Sequence, residues 1–294
     1  MRITLRAQPP FSLFSTVKSH GWYQIVPFEF DQDNVLLKYI LRLHSGNVIE
    51  MKIREKETGV QVNIESSLDK EEKREVKQIV TWMLNLNQDL SDFYKLARKE
   101  PKLAQMKKKA QGRVLRSPTL FEDVVKTILT TNTLWAATKR MASNLVIQFG
   151  SPLSDDSSKQ AFPTPEQLAK TNEKTLREQT RIGYRAPYVL KLAQDVASGE
   201  LDLESLKSVD IPTVQLKKQL LALKGVGNYA AANLLMILGR YDFIPIDTWA
   251  MTVVSHEWHN GNKIKPEDVE DAFENWNEWK GLAYWFWDWE YLKQ

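Results

Sequence analysis

The sequence predicts an α+β protein, in which an N-terminal antiparallel β-sheet domain is followed by a mostly α-helical, two-lobed body. Alternating and β-branched runs with turn residues between them occupy residues 1 to about 68. Apolar residues then recur at helical spacing, and a pair of glycines joins two such helical segments later in the chain. With 294 residues, of which 43% are apolar, the chain is long enough for two domains. We place these domains at residues 1–92 and 93–294.

Composition limits the kinds of site that the chain can hold. It has 40 Lys and Arg against 37 Asp and Glu, so the net charge of +3 does not by itself indicate a polyanionic partner. No cysteine occurs, which excludes disulfides, zinc–thiolate sites and cysteine-ligated iron–sulfur clusters. Met1–Leu5 begins no apolar run long enough for a signal peptide or a membrane span, so we expect no membrane association.

The first 68 residues predict an antiparallel sheet. The segments expected to form strands are Arg2–Leu5, Tyr39–Leu43, Val48–Ile53 and Val60–Ile64. Turn residues at Ser45-Gly46-Asn47 and Thr58-Gly59 separate the later segments. A short helix is expected from Ser12 to Lys18. No residue in this domain suggests chemistry, so we expect it to contribute packing and some contact with a partner.

Helical spacing begins near Asp69 and continues to Lys99. A basic segment from Lys102 to Arg116 follows, in which the cations are Lys107-Lys108-Lys109, Arg113 and Arg116. Few acidic residues separate these cations. Two interpretations stay open for the segment, namely contact with phosphate groups and an ordinary solvated face.

Ser117-Pro118 has the signature of a helix start, with Ser117 as the N-cap and Pro118 at the first helical position. The helix is expected to continue through Ile128 and to end near the polar tetrad Thr130-Thr131-Asn132-Thr133. A second helix should run from Leu134 to Phe149. The tetrad either caps this second helix or presents short polar side chains at a helix–helix junction.

The next segment, Ser151 to Thr164, is rich in Pro, Ser and Asp and predicts a surface loop. A short helix from Pro165 to Ala169 should follow. Further on, Gly183-Tyr184-Arg185-Ala186 contains a glycine that can end a helix with a packed aromatic residue beside it. The alternative is a turn that presents the tyrosine ring to a partner.

The segment Leu220–Leu234 fits the pattern hxxhxGhGxxxAxxh, in which h is apolar, at every specified position. It therefore predicts a helix-hairpin-helix over about residues 216–236. Gly225 and Gly227 allow positive φ and the close approach of another backbone, as a tight turn between helices requires. Val226 should fill the small core between the two helices.

This hairpin has the features of an anion site. The amides of Gly225, Gly227 and Asn228 should point outward at the start of the second helix, where unpaired N–H groups and the helix dipole favour a negative charge. Lys224 adds a cation to the turn. A DNA phosphate is the natural ligand, although an ordinary glycine-containing turn between packed helices is the alternative.

An isolated acid follows the hairpin. Asp247 comes directly after the proline-broken apolar run Ile244-Pro245-Ile246, and it should cap a helix that begins at Thr248. Gly225-Val226-Gly227 followed about twenty residues later by Pro-Ile-Asp resembles the helix-hairpin-helix (HhH-GPD) superfamily of DNA glycosylases, of the 3-methyladenine and 8-oxoguanine types. In that family the aspartate is catalytic. Capping and catalysis are compatible, because a cap fixes the direction of the carboxylate.

The same resemblance bears on the type of reaction. Bifunctional members of the family carry a nucleophilic lysine four residues after the first hairpin glycine, and this chain has Tyr229 there. A phenol cannot form a Schiff base. The resemblance therefore implies a monofunctional glycosylase that leaves an abasic site, as in the alkyladenine branch.

Two further segments resemble family elements that contact DNA. Arg181–Val189 is similar to the GYRA-x-Y-[VL] segment of the 8-oxoguanine branch, which implies that Tyr184 is an intercalating wedge and that Arg185 faces DNA. An inserted ring recovers part of the cost of unstacking a base. The polar tetrad matches the family segment beside the gap left by a flipped base, so Asn132 is the candidate contact for the orphaned partner base.

The closing segment Trp279–Trp287 resembles the family's last helix, which lines the base pocket. Where the 8-oxoguanine branch has a glutamine, this chain has Tyr284. We expect Tyr229, Trp249 and Tyr284 to form an electron-rich pocket suited to the positive charge of N3- or N7-methylated purines. Packing in an ordinary aromatic core is the alternative, and it is favoured for Trp285, Trp287 and Trp289.

The sequence thus indicates a monofunctional glycosylase of base excision repair that acts on damaged, alkylated purines in double-stranded DNA. The alternatives are an 8-oxoguanine-type glycosylase, with or without lyase activity, and a non-catalytic DNA-binding protein. We expect a monomer that requires no cofactor or metal, with a monovalent cation at the hairpin as the one candidate ion. The expected location is the cytoplasm or nucleoid of a prokaryote, or the nucleus of a eukaryote.

Overall fold

The computed structural model describes residues 1–289 and divides the chain into two compact units. The first unit comprises Met1–Gln88 and Arg113–Ser208, and the second comprises Asp89–Gly112 and the chain from Val209 onward. An antiparallel sheet lies in the first unit and helices occur in both, so the predicted α+β class is confirmed. The division into domains at residues 1–92 and 93–294 stays a prediction. Within residues 1–289, no helix has both the length and the apolar character to cross a bilayer.

The sheet of the first unit has five strands in the order β1-β5-β4-β3-β2. Its strands are β1 Arg2–Arg6, β2 Phe28–Asp31, β3 Leu36–Arg42, β4 Val48–Lys56 and β5 Gly59–Asn63. One row of paired residues crosses four of these strands and is buried throughout, and its members are Ile3, Val62, Ile53 and Leu37. This row therefore places one face of the sheet against the core. Strand β3 is covered on both faces, because Tyr39, Ile40 and Leu41 are buried in succession.

The sequence did not predict β2. This strand is only four residues long, and it pairs with β3 through a turn in which Val35 has a left-handed φ of 45°. A β-branched residue in this region is uncommon and gives no turn signal.

The remaining elements are mostly helical. In chain order the helices are α1 Leu13–Val17, α2 Lys70–Met83, α3 Ser91–Ala97, α4 Leu120–Thr130, α5 Trp135–Phe149, α6 Pro165–Ala169, α7 Glu173–Thr180, α8 Ala186–Ser198, α9 Thr213–Ala222, α10 Asn228–Ile237, α11 Thr248–Trp258, α12 Pro266–Ala272 and α13 Lys280–Phe286. Helices α3 and α9–α13 belong to the second unit and the others to the first. The helical stretch expected from Asp69 to Lys99 is thus two helices, and Asn85 between them has a left-handed φ of 50°.

Helix α4 starts later than the sequence predicts. Thr119, not Ser117, is the N-cap, and its hydroxyl accepts the Glu122 amide at 3.2 Å. The Ser117 amide instead donates to the Asp123 carboxylate at 3.0 Å. The expected N-cap was wrong, because the carboxylate of Asp123, six residues later in the first turn of α4, binds the Ser117 backbone amide.

Residues 151–164 are not simply a surface loop. They contain a two-stranded hairpin, β6 Ser151–Leu153 and β7 Asp156–Ala161. The Lys159 ammonium of β7 lies 2.9 Å from the Glu50 carboxylate of β4. The segment therefore forms ordered strands that contact the main sheet of the same unit, although its Pro, Ser and Asp content predicted only a loop.

Candidate active site

The hairpin predicted from the paired glycines joins α9 to α10 in the second unit. The Val226 amide donates to the Leu223 carbonyl at 3.0 Å and closes the turn, and the Val226 side chain is buried. Gly225 has a φ of 88°, which is the left-handed conformation that glycine tolerates. The burial of Val226 and the positive φ of Gly225 therefore agree with the sequence prediction.

Gly227 departs from the expectation of positive φ. Its φ is −94° and it is the N-cap of α10. A Cβ added there would meet no atom within 4 Å. Neither backbone conformation nor packing within the described chain thus requires a glycine at this position, which leaves room for the close approach of an external group.

The N-terminus of α10 has the character of an anion site. Because Gly227 has no side chain, no side-chain cap satisfies the first amides of the helix. Asn228 at the first helical position and Lys224 in the turn are both exposed. Amide dipoles and an ammonium group therefore face solvent together.

Asp247 is the N-cap of α11, as the sequence predicts. Its Oδ1 accepts the Ala250 amide at 2.8 Å, and its side chain is half-buried. The second carboxylate oxygen takes no part in this bond. The cap thus fixes the orientation of a carboxylate that keeps one oxygen for other contacts.

Two phenols lie within the electrostatic influence of this carboxylate. Burial raises the pKa of Tyr229, and the charge of Asp247 raises it further, although the Tyr229 side chain is still 48% exposed. Burial raises the pKa of Tyr284 well above its usual value, and Asp247 and then Tyr229 add to the effect. Three elements, α10, α11 and α13, therefore bring one acid and two phenols together in the second unit.

Gly281 allows α13 to approach the segment that leads to Asp247. A Cβ at this position would lie 2.3 Å from the Phe243 carbonyl oxygen, and the Gly281 amide donates to the Tyr241 carbonyl at 2.6 Å. This close contact helps to place Tyr284, which lies one turn further along the helix. Gly281 lies within the segment Trp279–Trp287, which resembles the family's last helix, but the sequence did not predict its packing role.

The other aromatic residues separate into exposed and buried groups. Trp249, on the first turn of α11, is 43% exposed. Trp287 and Trp289 are buried and pack around Phe273, with ring centroids 5.3 and 6.1 Å away. The Tyr284 ring also lies 5.4 Å from that of Trp289. The core interpretation is therefore confirmed for Trp287 and Trp289. Tyr284 is also buried, at 6% exposed, and packs in the same cluster against Phe273 and Trp289.

Tyr184 and Asn132 lie together in the first unit. The Tyr184 hydroxyl lies 3.2 Å from Thr131 Oγ1 and accepts from Asn132 Nδ2 at 3.5 Å. These hydrogen bonds lower the pKa of Tyr184, that from Thr131 most strongly. The Tyr184 ring is 45% exposed and Asn132 is exposed. Tyr184 and Asn132, which are 52 positions apart in the chain, thus form one exposed cluster of an aromatic ring and a polar side chain.

Asn132 does not cap the helix that follows it. Helix α5 has Leu134 at its N-cap with no side-chain hydrogen bond, and Asn132 itself has a left-handed φ of 46°. The capping interpretation is therefore wrong. Asparagine is one of the few residues that adopt this conformation readily, which fits its place in the turn.

Arg185 is mostly buried in the first unit. It is only 5% exposed, and its guanidinium donates to the Thr131 carbonyl and stacks 4.5 Å from the centre of the Tyr184 ring. The contacts that its guanidinium makes are therefore internal, and a contact of Arg185 with DNA stays a prediction. In this position Arg185 fixes Tyr184 against the turn that carries Asn132.

Two arginines of the basic segment are internal as well. Arg113 is 1% exposed, and its guanidinium donates at 2.6–3.2 Å to the carbonyls of Gln8, Pro10, Asn85 and Gln88. Arg116 is also buried and stacks over Trp82 at 4.1 Å. Neither residue is available to a phosphate. Lys107, Lys108 and Lys109 are exposed, so the two interpretations of the segment stay open for them.

The described part of the chain contains no group of three or more His, Cys, Asp or Glu side chains that could hold a metal ion. The second unit contains a capped carboxylate, two phenols and a set of helix N-terminal amides.

The chain is similar in sequence or fold to known DNA glycosylases. A curated relative from Bacillus subtilis (strain 168), named DNA-3-methyladenine glycosylase, is 27% identical over 259 residues, which cover 86% of this chain and 84% of the relative. Among solved structures, the 3-methyladenine DNA-glycosylase from Archaeoglobus fulgidus has a TM-score of 0.73 at 20% identity, with 97% of each chain covered. The apo form of the Clostridium acetobutylicum 8-oxoguanine glycosylase/lyase has a TM-score of 0.67 at 21% identity, with 91% of this chain and 92% of that one covered.

At these identities the solved structures show a shared fold. The profile of the family described as "HhH-GPD superfamily base excision DNA repair protein" matches residues 125–278, which is just over half of the 294 residues. That range contains both the hairpin and Asp247. This chain therefore belongs to the HhH-GPD superfamily of base excision DNA repair proteins.

Proposed function

We propose that the protein is a monofunctional DNA glycosylase that hydrolyses the N-glycosidic bond of alkylated purines flipped out of duplex DNA. The observation that carries the proposal is the capped carboxylate of Asp247, whose charge acts on the phenols of Tyr229 and Tyr284. This grouping offers an acid for the sugar and aromatic faces for a base. The family membership and the name of the Bacillus subtilis relative support the same activity.

Asp247 would act on the sugar. As the bond between C1′ and the base nitrogen breaks, its electron pair leaves with the base and positive charge develops on the sugar ring. The carboxylate stabilises that charge and orients a water whose oxygen bonds to C1′, while the water proton passes to the carboxylate or to solvent. A base methylated at N3 or N7 already carries positive charge and leaves as a neutral molecule, so little acid catalysis is needed.

Tyr229 supports hydrolysis in place of lyase chemistry. A phenol has no amine to form a Schiff base with the sugar. Its pKa is raised by burial and by Asp247, so the group is a neutral phenol at neutral pH. Its ring, which is 48% exposed, is suited to stack on a flipped base and to attract a cationic one, by roughly 0.5–2 kcal/mol. Tyr284 is only 6% exposed, so its ring would line the pocket from the interior.

DNA is the proposed macromolecular partner. The exposed amides at the start of α10 and the ammonium of Lys224 would hold a backbone phosphate, and such contacts carry no sequence information. Tyr184 would enter the duplex as the wedge, with Asn132 beside the orphaned partner base and Arg185 holding both. A monomeric protein and a monovalent cation at the hairpin remain parts of the proposal, and no chemical step depends on the cation.

A second candidate function is excision of 8-oxoguanine. The Gly183-Tyr184-Arg185-Ala186 segment favours it, because it resembles the 8-oxoguanine branch. The fold is compatible, since the 8-oxoguanine glycosylase/lyase from Clostridium acetobutylicum shares it. Tyr284, in the place of that branch's glutamine, argues against this substrate.

A base-release assay tests the proposal. Matched duplexes that differ only in carrying 3-methyladenine, 7-methylguanine or 8-oxoguanine should lose the two methylated purines, because their positive charge suits the phenol-lined site. Borohydride should trap no covalent complex with the DNA. Release abolished by Asp247→Asn would assign the activity to this chain and not to a contaminant. Efficient release of 8-oxoguanine without the methylpurines would instead establish the second candidate.

A further inference from the structure

The turn between α7 and α8 holds an arginine in a conformation that its Cβ disfavours. Arg181 follows the last residue of α7 and has φ 57° and ψ 28°, in the left-handed region. Two residues later Gly183 has a φ of 62°. The turn thus contains two residues in the left-handed conformation. Only one of them, Gly183, is a glycine, which adopts this conformation freely.

Buried contacts on both sides hold this turn in place. Asn144 Nδ2 of α5 donates to the Thr180 carbonyl at 3.1 Å, and the Arg185 guanidinium donates to the Thr131 carbonyl. Ile182 between them is fully buried. Arg181 therefore cannot relax its backbone unless these contacts break, and the conformation is determined by its surroundings.

The turn presents Arg181 and Tyr184 outward and buries the residues between and after them. Both are exposed, whereas Ile182 and Arg185 are buried. Four residues before Arg181, Arg177 forms an ion pair with Glu173. Within residues 1–289 no carboxylate forms an ion pair with Arg181. Its guanidinium is thus an exposed cation, fixed on a rigid turn that also carries the proposed wedge.

We propose that Arg181 binds a DNA backbone phosphate next to the point at which Tyr184 enters the duplex. The proposal rests on the proposed function and extends it by one contact. The planar guanidinium can bind two phosphate oxygens at once, and the fixed backbone sets where this side chain starts relative to Tyr184. Arg181 thereby makes the DNA contact that the sequence assigned to Arg185, which the structure buries.

Replacing Arg181 by glycine removes both the cost of the disfavoured backbone conformation and the proposed phosphate contact, and the two losses have opposite effects on measurable properties. The melting temperature of Arg181→Gly should be unchanged or higher, because glycine adopts the left-handed conformation freely. Its affinity for a duplex containing a stable abasic-site analogue should fall roughly fivefold, and the slope of log K against log salt should decrease in magnitude by about 0.9, as for one lost phosphate contact. Arg181→Lys should recover part of the affinity and most of the slope.

Arg74→Ala is the control for net charge, because Arg74 is an exposed arginine on α2 of the same unit, where it pairs with the exposed Glu71, and its loss removes one positive charge as well. Its affinity for the abasic duplex should stay at the wild-type value. Unchanged affinity and slope in Arg181→Gly, or an equal loss in Arg74→Ala, would overturn the assignment of Arg181 while wild-type binding still supports the proposed function. Failure of the wild-type protein to bind the duplex would instead overturn the proposed function, and this contact with it.

Discussion

The two oxygens of Asp247 have separate tasks in the proposed mechanism. Oδ1 accepts the Ala250 amide and fixes the start of α11, which leaves Oδ2 for the sugar or a water. An asparagine keeps an acceptor oxygen for the cap but loses the negative charge. A single substitution can therefore remove the proposed chemistry while it preserves the local structure.

Asp247→Asn should reduce the rate of base excision by at least ~10²-fold, roughly 3 kcal/mol, by analogy with other preorganised electrostatic groups. Affinity for damaged DNA should change little, since the hairpin and the turn at Tyr184 are untouched. The pKa of Tyr229 should fall, because the charge of Asp247 contributes to raising it. Single-turnover kinetics and an ultraviolet titration of the phenols measure these effects. Near-normal turnover of the variant would remove Asp247 from the mechanism.

At the scale of elements, the hairpin is distinguished by a glycine that the described chain does not require. Gly227 has an ordinary φ of −94° and open space where a Cβ would be. A β-branched residue with a good capping side chain, such as threonine, should therefore fit the fold and satisfy the helix amides itself.

Gly227→Thr should keep or raise the melting temperature and weaken binding to every duplex, damaged or not. The added side chain occupies both the space and the amides that a phosphate would use, and phosphate contacts are independent of sequence. Binding isotherms on undamaged and abasic duplexes measure the effect, with Gly227→Ala as a smaller step in the same direction. Loss confined to one lesion would indicate that the hairpin belongs to the base pocket.

The features predicted correctly from sequence depend on local patterns. The hairpin turn and the cap at Asp247 are each determined by a few adjacent residues, so their types and spacing suffice to predict them. The exact ends of elements were less predictable, as the move of the α4 cap from Ser117 to Thr119 illustrates.

What could not be predicted depends on contacts between distant parts of the chain. Arg113 and Arg185 are charged, and charge favours an exposed position. Carbonyl groups satisfy each of them internally, and for Arg113 two of these belong to Gln8 and Pro10, more than a hundred residues earlier. Such neighbours have no signature near either arginine. The strained φ of Arg181 is likewise invisible in the sequence, because an arginine there gives no turn signal.

At the scale of the whole first unit, a buried polar network connects the N-terminal segment and sheet to α4. Lys126 is fully buried, and its ammonium lies 2.6 Å from the Glu122 carboxylate. The hydroxyl of Tyr39, from β3, donates to the same carboxylate at 2.6 Å, and the indole of Trp22 donates to Asp123 at 2.7 Å. Such a network specifies how α4 packs, because leaving one member unpaired would be costly.

Two titratable groups in this region should act on stability in opposite directions. Burial raises the pKa of Asp123 from 3.8 to about 6, so its contribution to the free energy of unfolding is full below pH 3.8 and is lost as pH rises through about 6. Burial lowers the pKa of His20 from 6.5 to about 4, so its contribution is full above pH 6.5 and is lost as pH falls through about 4. Between about pH 4 and 6 the two contributions oppose each other.

Removing either group should leave the pH dependence of the free energy of unfolding to the other group. In Asp123→Asn, where an amide oxygen can still accept from Trp22 and Ser117, the free energy of unfolding should rise more steeply with pH between about 4 and 6 than in the wild type. In His20→Gln it should fall relative to the wild type over the same interval, with each change on the order of 2–3 kcal/mol. Urea denaturation at stepped pH measures both, and titrations common to all three proteins cancel in the comparison. Slopes that shift in the same direction in the two variants would contradict this assignment of Asp123 and His20.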